Sequence, residues 1–404
     1  MLVLSARALG AQAGPASPGA ACAPAPSAAA PGPISLPIEL ANNHIYVTVC
    51  AGSRPLWFLL DSGAGVSLLD LGTAESLGIP LGDRVEARGA GPRSTRGARL
   101  TGFAVHLPQD TGLSVEIPAA IALDGLTPYE GRQPQGILGY DFITRRVLQI
   151  DYHGRRLVLH DPATFRYGGP GVRVPLRLVG NFPHLGAELV LADGGRVTAD
   201  FVLDLGSSLA VALTRPLVDA HGLRRRVGPT IERPAGRGAG GTARSEIGRV
   251  AALTIGGARI AAPLVYLYGD SAGVFSVTTH FEGNIGGEVL RRFTVYLDYA
   301  RQEAILEPGP DRDEPFEADM SGAVFISDSA GAGLRVAFVA AGTPAAEAGL
   351  APADLVLAVD GRAAADLGVG AVRALMRQAG TIVALTVRRD GRDRVVRLTL
   401  RRLV

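Results

Sequence analysis

Cysteine is nearly absent: two residues in 404, Cys22 and Cys50. Neither stands at a metal-ligand spacing, and Cys22 lies in an Ala/Pro/Gly/Ser-rich stretch, so no structural disulfide between them is expected. Aromatic residues make up 5% of the chain, and 40 basic side chains nearly balance 38 acidic ones. No basic stripe interleaved with aromatics occurs, which argues against nucleic acid as a partner. The seven histidines are scattered, none in a His-Glu-x-x-His arrangement, so no metal is expected. Uninterrupted apolar runs stay short of the 18 or so residues that a spanning helix needs. Residues 1–35 lack the composition for a packed element. The opening Met1-Leu2-Val3-Leu4 run has no charged flank, and the segment reads as disordered, a residual secretory signal or a linker.

What the chain does have is glycine, 53 residues of it, set among short Val/Leu/Ile runs. That pattern predicts a mainly β protein, and the length predicts two or three domains. An internal repeat organises the first three quarters. Residues 58–64 read Phe-Leu-Leu-Asp-Ser-Gly-Ala, and residues 201–207 read Phe-Val-Leu-Asp-Leu-Gly-Ser. A helix-like stretch closed by glycine follows each, at Gly78 and Gly222. A second anchor recurs in the same order. Gly136-Ile137-Leu138-Gly139 matches Gly283-Asn284-Ile285-Gly286, and each leads to a strand-like run ending in Asp-Tyr. Two ordered anchors predict duplicated lobes at 36–163 and 164–310. The acidic, Pro315-containing stretch 311–320 reads as a linker, and 321–404 as a separate domain.

An apolar strand that ends in Asp on a tight glycine turn is one such turn among many when it occurs once. Repeated in register with a second anchor, it marks Asp61 and Asp204 as a candidate pair. Here the sequence resembles the retropepsin-like aspartic peptidases, in which Asp-Ser/Thr-Gly turns face each other from two subunits or two lobes. The resemblance spans 36–308 and implies two acid-protease β-barrel lobes with Asp61 and Asp204 catalytic. It implies support from Ser62, Gly63, Gly206 and Ser207, peptide substrates and no cofactor. Two close carboxylates share one proton, so one can activate water while the other donates to the scissile carbonyl. Leu205 departs from the family, which has a hydroxyl residue there to brace the turns. Ser207 is expected to support the Asp204 carboxylate instead. Flaps over the cleft are implied at Gly89 and Gly91 and at Gly238 and Gly240. Read from Gly236, the second stretch also fits Gly-x-Gly-x-x-Gly, but Pro234 before it and a strand-like run after it do not suit a dinucleotide site.

The tail resembles a bacterial-type PDZ domain, an α+β, partly open barrel. Residues 339–350 and 353–361 carry the likeness, with Ala353 where that family has glycine. A helix is expected over Leu367 to Gln378 and a hairpin at Asp390-Gly391. The resemblance implies that Gly331, Ala332, Gly333 and Leu334 form the loop whose amides hold a peptide carboxylate. Its partners would then be peptide C-termini or extended segments added as a strand. A PDZ-bearing protease suggests a bacterial periplasmic or secreted protein, with a cytoplasmic one still open. Two alternatives stand beside the peptidase: a peptide-binding scaffold with a decayed second site, and a homodimer that pairs Asp61 with itself.

Overall fold

The computed structural model describes residue 22 and residues 32–404, apart from 90, 92, 109, 236, 239–240 and 270–272. Gly240 and nearly all of the 1–31 segment lie outside the described residues. In the strand Arg54–Leu60, period-two alternation buries Leu56, Phe58 and Leu60 completely, and the chain runs straight on into Asp61. This strand closes a meander with Ile34–Ala41 and His44–Ala51. The first hairpin turns on Asn42 and Asn43 at φ of 49° and 64°, a conformation asparagine tolerates and two-residue hairpins require. The short strand Gly136–Leu138 then inserts parallel to Phe58–Leu60 and antiparallel to Leu68–Asp70.

The second half repeats this pairing. Gly283–Ile285 lies parallel to the end of Arg196–Leu203 and antiparallel to Val211–Leu213. The anchor glycines are a packing requirement. A Cβ on Gly136 would enter the Phe58 ring, and one on Gly139 would fall 2.7 Å from the Ala64 carbonyl. Gly283 and Gly286 meet Phe201 and Ser207 in the same way. Helices follow both turns, Leu71–Ser76 capped by the Asp70 carboxylate and Arg215–Ala220 capped by the Thr214 hydroxyl.

A sheet joins the lobes. Val147–Asp151 runs antiparallel to Phe293–Asp298, with Leu148 opposite Leu297 and Ile150 opposite Val295. Arg156–His160 and Ile34–Ala41 extend it on one side, Glu303–Pro308 and Val172–Pro175 on the other. One hydrophobic core runs through both lobes and reaches Phe316 and Ala318. The 311–320 stretch is therefore no free linker. The Arg292 guanidinium lies 3.5 Å from the Phe316 ring centroid and donates to the Glu314 carbonyl at 3.0 Å, strapping the segment down.

The C-terminal domain has its own core, built around Met320, Phe325, Val336, Val356, Val372 and Leu398. Its sheet runs Ala323–Ser327, Leu334–Val339, Leu355–Val359, Ile382–Arg389, Arg392–Thr399, with the last hairpin turning on Asp390 and Gly391 at positive φ. Ala353 occupies a left-handed conformation, φ 74°, which explains why glycine would suit that position. The covering helix is Ala364–Leu375, three residues earlier than the sequence suggested at both ends and broken at Gly368. The edge strand Ala323–Ser327 and this helix pack against the Thr127–Glu130 helix of the first lobe. Among the described residues no helix is long and apolar enough to cross a membrane.

Contrary to expectation, Cys22 and Cys50 form a disulfide, with Cα atoms 5.6 Å apart. Cys50 is fully buried in the strand His44–Ala51, and Cys22 is 6% exposed. The expectation came from the composition around Cys22, but a single crosslink tethers a residue to the sheet without needing a packed element around it.

Candidate active site

Each turn is built alike. The Asp61 N–H donates to the Leu138 carbonyl and the Asp204 N–H to the Ile285 carbonyl, both at 2.9 Å. The Gly63 N–H donates to Asp61 Oδ1 at 2.7 Å and the Gly206 N–H to Asp204 Oδ1 at 3.0 Å. The two carboxyls meet and share a hydrogen bond. Neither Gly63 nor Gly206 has a positive φ; what excludes a side chain is the opposing aspartate. A Cβ on Gly63 would stand 2.6 Å from Asp204 Oδ1, and one on Gly206 would overlap the Asp61 carboxyl.

Ser62 braces the turns as its position implied. Its hydroxyl donates to the Leu203 carbonyl at 2.7 Å and accepts from the Leu205 N–H at 2.9 Å. The reciprocal brace is missing, because Leu205 has no hydroxyl; its side chain is fully buried in the shared core instead. Ser207 does not support Asp204. Its hydroxyl accepts from the Leu209 N–H at 3.4 Å, since the turn carries it away from the carboxylate. Asn284 takes that role instead, with Nδ2 donating to Asp204 Oδ2 at 2.6 Å. The one available hint was a polar residue in an anchor strand whose counterpart is Ile137.

Burial, and then the charge of Asp204, push the Asp61 pKa up; the Gly63 N–H and His44 work against the shift. Burial also raises Asp204, but Asn284, the Gly206 N–H and the hydrogen bond from Asp61 all favour its ionised form. Both carboxyls are thus pushed toward the protonated form, and being coupled they titrate as a pair that can hold one proton between them.

Sequence reasoning passed over His44. Its Nδ1 lies 2.7 Å from Glu130 Oε2 and its Nε2 3.0 Å from the Gly206 carbonyl, inside the second turn. Asn42 donates to the same Glu130 carboxylate at 3.1 Å. A carboxylate and a carbonyl both accept, so the ring donates from both nitrogens and is an imidazolium. Burial opposes that charge most strongly, but Glu130, Asp61 and the Gly206 carbonyl together outweigh it, and the His44 pKa is raised.

The dyad opens into a cavity of about 830 Å³. Two hairpins border it: Arg84–Arg88 with Ser94–Arg99, and Arg237–Gly238 with Gly241–Thr242. Gly89 lies on its wall, Gly91 sits in the first hairpin's turn, and Gly238 pairs with Gly241. The hairpins approach each other, with the Arg93 guanidinium 3.4 Å from where a Gly241 Cβ would be. The same cavity is lined by Val324, Arg373 and Arg377 of the C-terminal domain.

Two amides of the 331–334 loop, those of Gly331 and Ala332, are already engaged by Asp328. The Asp328 carboxylate already accepts from the backbone of Ala330 and Ala332 and from Arg335, while the Gly331 N–H donates to the Asp328 carbonyl. Gly331, Ala332 and Gly333 thus lie in a turn between two strands that Asp328 ties together from within, and Leu334 opens the second strand. A similar carboxylate nest precedes the edge strand. There Asp319 Oδ1 accepts from the Ser321 and Gly322 N–H groups and from the Ser321 hydroxyl. Among the described residues no cluster of three or more His, Cys, Asp or Glu could hold a metal.

Residues 45–142 match the family model for an aspartyl protease, and residues 335–389 match that for a PDZ domain. The first match takes in Asp61 and the Gly136–Leu138 strand; Asp204 lies beyond it. No curated protein matches the chain. The chain therefore joins an aspartyl protease domain to a PDZ domain within a mainly β architecture.

Proposed function

We propose that the chain is an aspartic endopeptidase whose dyad, Asp61 and Asp204, is assembled within one polypeptide. The observation that carries this reading is the pair of mirrored turns with their carboxyls in contact at one cavity. Asp204, ionised, takes a proton from a water held between the carboxyls. Asp61, protonated, donates to the carbonyl oxygen of the scissile peptide. The tetrahedral adduct collapses as the amide nitrogen gains a proton and departs. Because both carboxyls are raised above their ordinary range, the bell-shaped pH profile of kcat/KM should lie higher than two ordinary carboxylates would put it. Cleavage profiling of a peptide library across pH tests the reading; no cleavage at any pH would favour a peptide-binding scaffold.

The PDZ domain takes part in substrate capture as a wall of the cleft. Val324, Arg373 and Arg377 face the same cavity as the dyad, and the Thr127–Glu130 helix covers the groove beside the edge strand. Deleting residues 320–404 should therefore cut kcat/KM for short peptides about tenfold or more, along with that for proteins. Unchanged short-peptide cleavage with slower cleavage of proteins would instead mark the PDZ domain as a separate module that recruits substrates.

The Cys22–Cys50 disulfide supports an extracytoplasmic location, since cytosolic thiols are kept reduced. Alkylation of the protein as it leaves the cell should label neither cysteine until a reductant is added. Immediate labelling of both would place it in a reducing compartment.

A further inference from the structure

The cavity wall formed by the C-terminal domain is basic, and among the described residues neither of its guanidiniums is in an ion pair. Arg373, near the end of the Ala364–Leu375 helix, and Arg377, one turn on, both line the cavity that holds Asp61 and Asp204. The Arg373 guanidinium makes one long contact, Nη2 to the Phe325 carbonyl at 3.4 Å. Among the described residues, the Arg377 side chain makes no hydrogen bond or ion pair. Arg233 joins them from the second lobe, its nearest carboxylate being Asp319 at 3.7 Å.

The acidic groups nearby are already committed. Glu130 holds His44 and Asn42. Asp319 holds the Ser321 and Gly322 amides and the Ser321 hydroxyl. Glu288, also on the cavity wall, is buried; burial raises its pKa, and Arg377 is the first of the charges that work against the shift without reversing it. A largely desolvated guanidinium without a counter-ion is costly, and a carboxylate ligand with its own pair of acceptor oxygens relieves that cost.

We propose that Arg373 and Arg377, with Arg233 beside them, form a subsite for a carboxylate of the bound peptide. This rests on the peptidase reading of the cavity and adds a substrate class to it: acidic peptides. The carboxylate comes from a Glu or Asp side chain or from a peptide C-terminus. Since Asp328 already engages the Gly331 and Ala332 amides of the 331–334 loop, a C-terminal carboxylate finds its cations here instead.

The test uses peptides paired Glu against Gln at successive positions around the cleaved bond, and free-acid against amidated C-termini. Wild-type kcat/KM should favour the carboxylate about ten- to a hundredfold at one position or at the terminus, the loss expected when a charged hydrogen-bond partner goes missing. A Glu/Gln effect identifies a side chain, and an amidation effect identifies the terminus. Arg373→Gln and Arg377→Gln should each collapse that ratio, and Arg373→Lys should recover part of it. Arg377 is exposed, so its variant reads the subsite even if Arg373→Gln fails to fold. Equilibrium binding of the same pairs to Asp61→Asn reads the preference without catalysis. Preferential binding there with no cleavage by wild type would overturn the peptidase reading and keep the subsite. No carboxylate preference in either assay, or one that survives both Gln variants, would overturn the subsite.

Discussion

Asp61→Asn and Asp204→Asn should each lower kcat by about a thousandfold or more, to the background of the assay. Removing a positioned acid or base costs roughly 10²–10⁴-fold, and here each residue loses its own role and strips its partner of the shared proton. Asparagine fits the space of aspartate, so the Gly63 and Gly206 contacts and the Ser62 brace survive, and the loss is chemical. The Asp204 variant is the discriminating one. If Asp61 instead paired with Asp61 of a second chain, Asp204→Asn would keep wild-type turnover. Mixing the two inactive variants adds a control. An intramolecular dyad gives no recovery, whereas exchange between chains would regenerate intact sites.

His44→Leu should lower kcat by about ten- to a hundredfold with a smaller change in KM, because it releases the Gly206 carbonyl and leaves Glu130 with Asn42 but no counter-charge from His44. His44 is a positioning residue, so the pH profile is the decisive reading. Its positive charge lies near Asp61, Asp204 and Glu130 and lowers the pKa of both members of the dyad. His44→Gln keeps a donor for Gly206 but removes the charge. Both limbs of the kcat/KM profile should then move to higher pH. The sign for stability is opposite to that of a depressed carboxylate. The His44 pKa is raised on folding, so its contribution is complete below the usual histidine value of about 6.5. It is lost as pH rises through the raised value. A Gln variant with the wild-type profile and merely lower stability would reduce His44 to a structural role.

The turns at Asp61 and Asp204 were legible because their geometry leaves a local trace. The glycine two residues after each aspartate yields to the opposing carboxyl, and the anchor glycines Gly136 and Gly283 yield to Phe58 and Phe201. Such contacts recur at fixed spacing in both halves, so they surface as a repeat. His44 and Glu130 meet from strand and helix 86 residues apart and belong to no repeat, so nothing in the chain order joins them. Ser207 was chosen by proximity in sequence, but the turn aims its hydroxyl elsewhere and Asn284 reaches Asp204 from a neighbouring strand. The 331–334 loop has glycines where an open loop would have them. Asp328, three residues earlier, fills it from within, and burial of a carboxylate by its own loop is not visible as composition. The Cys22–Cys50 bond escaped for the reverse reason, since composition spoke only of the residues around Cys22.

The strand pairing of Val147–Asp151 with Phe293–Asp298 has a consequence in mass action. When half-sites reside on separate chains, dilution empties the active state, and specific activity falls as subunits part. Here the lobes are tethered, share a core and complete one sheet, so assembly is unimolecular. If the peptidase reading holds, turnover per molecule should stay constant down to vanishing enzyme concentration, and a peptide that competes for a subunit interface should find no dissociated lobe to capture. The tether also frees the two halves to diverge. Leu205 and Asn284 sit on one side of the dyad, Ser62 and Ile137 on the other, a left–right difference that no exact twofold axis could carry.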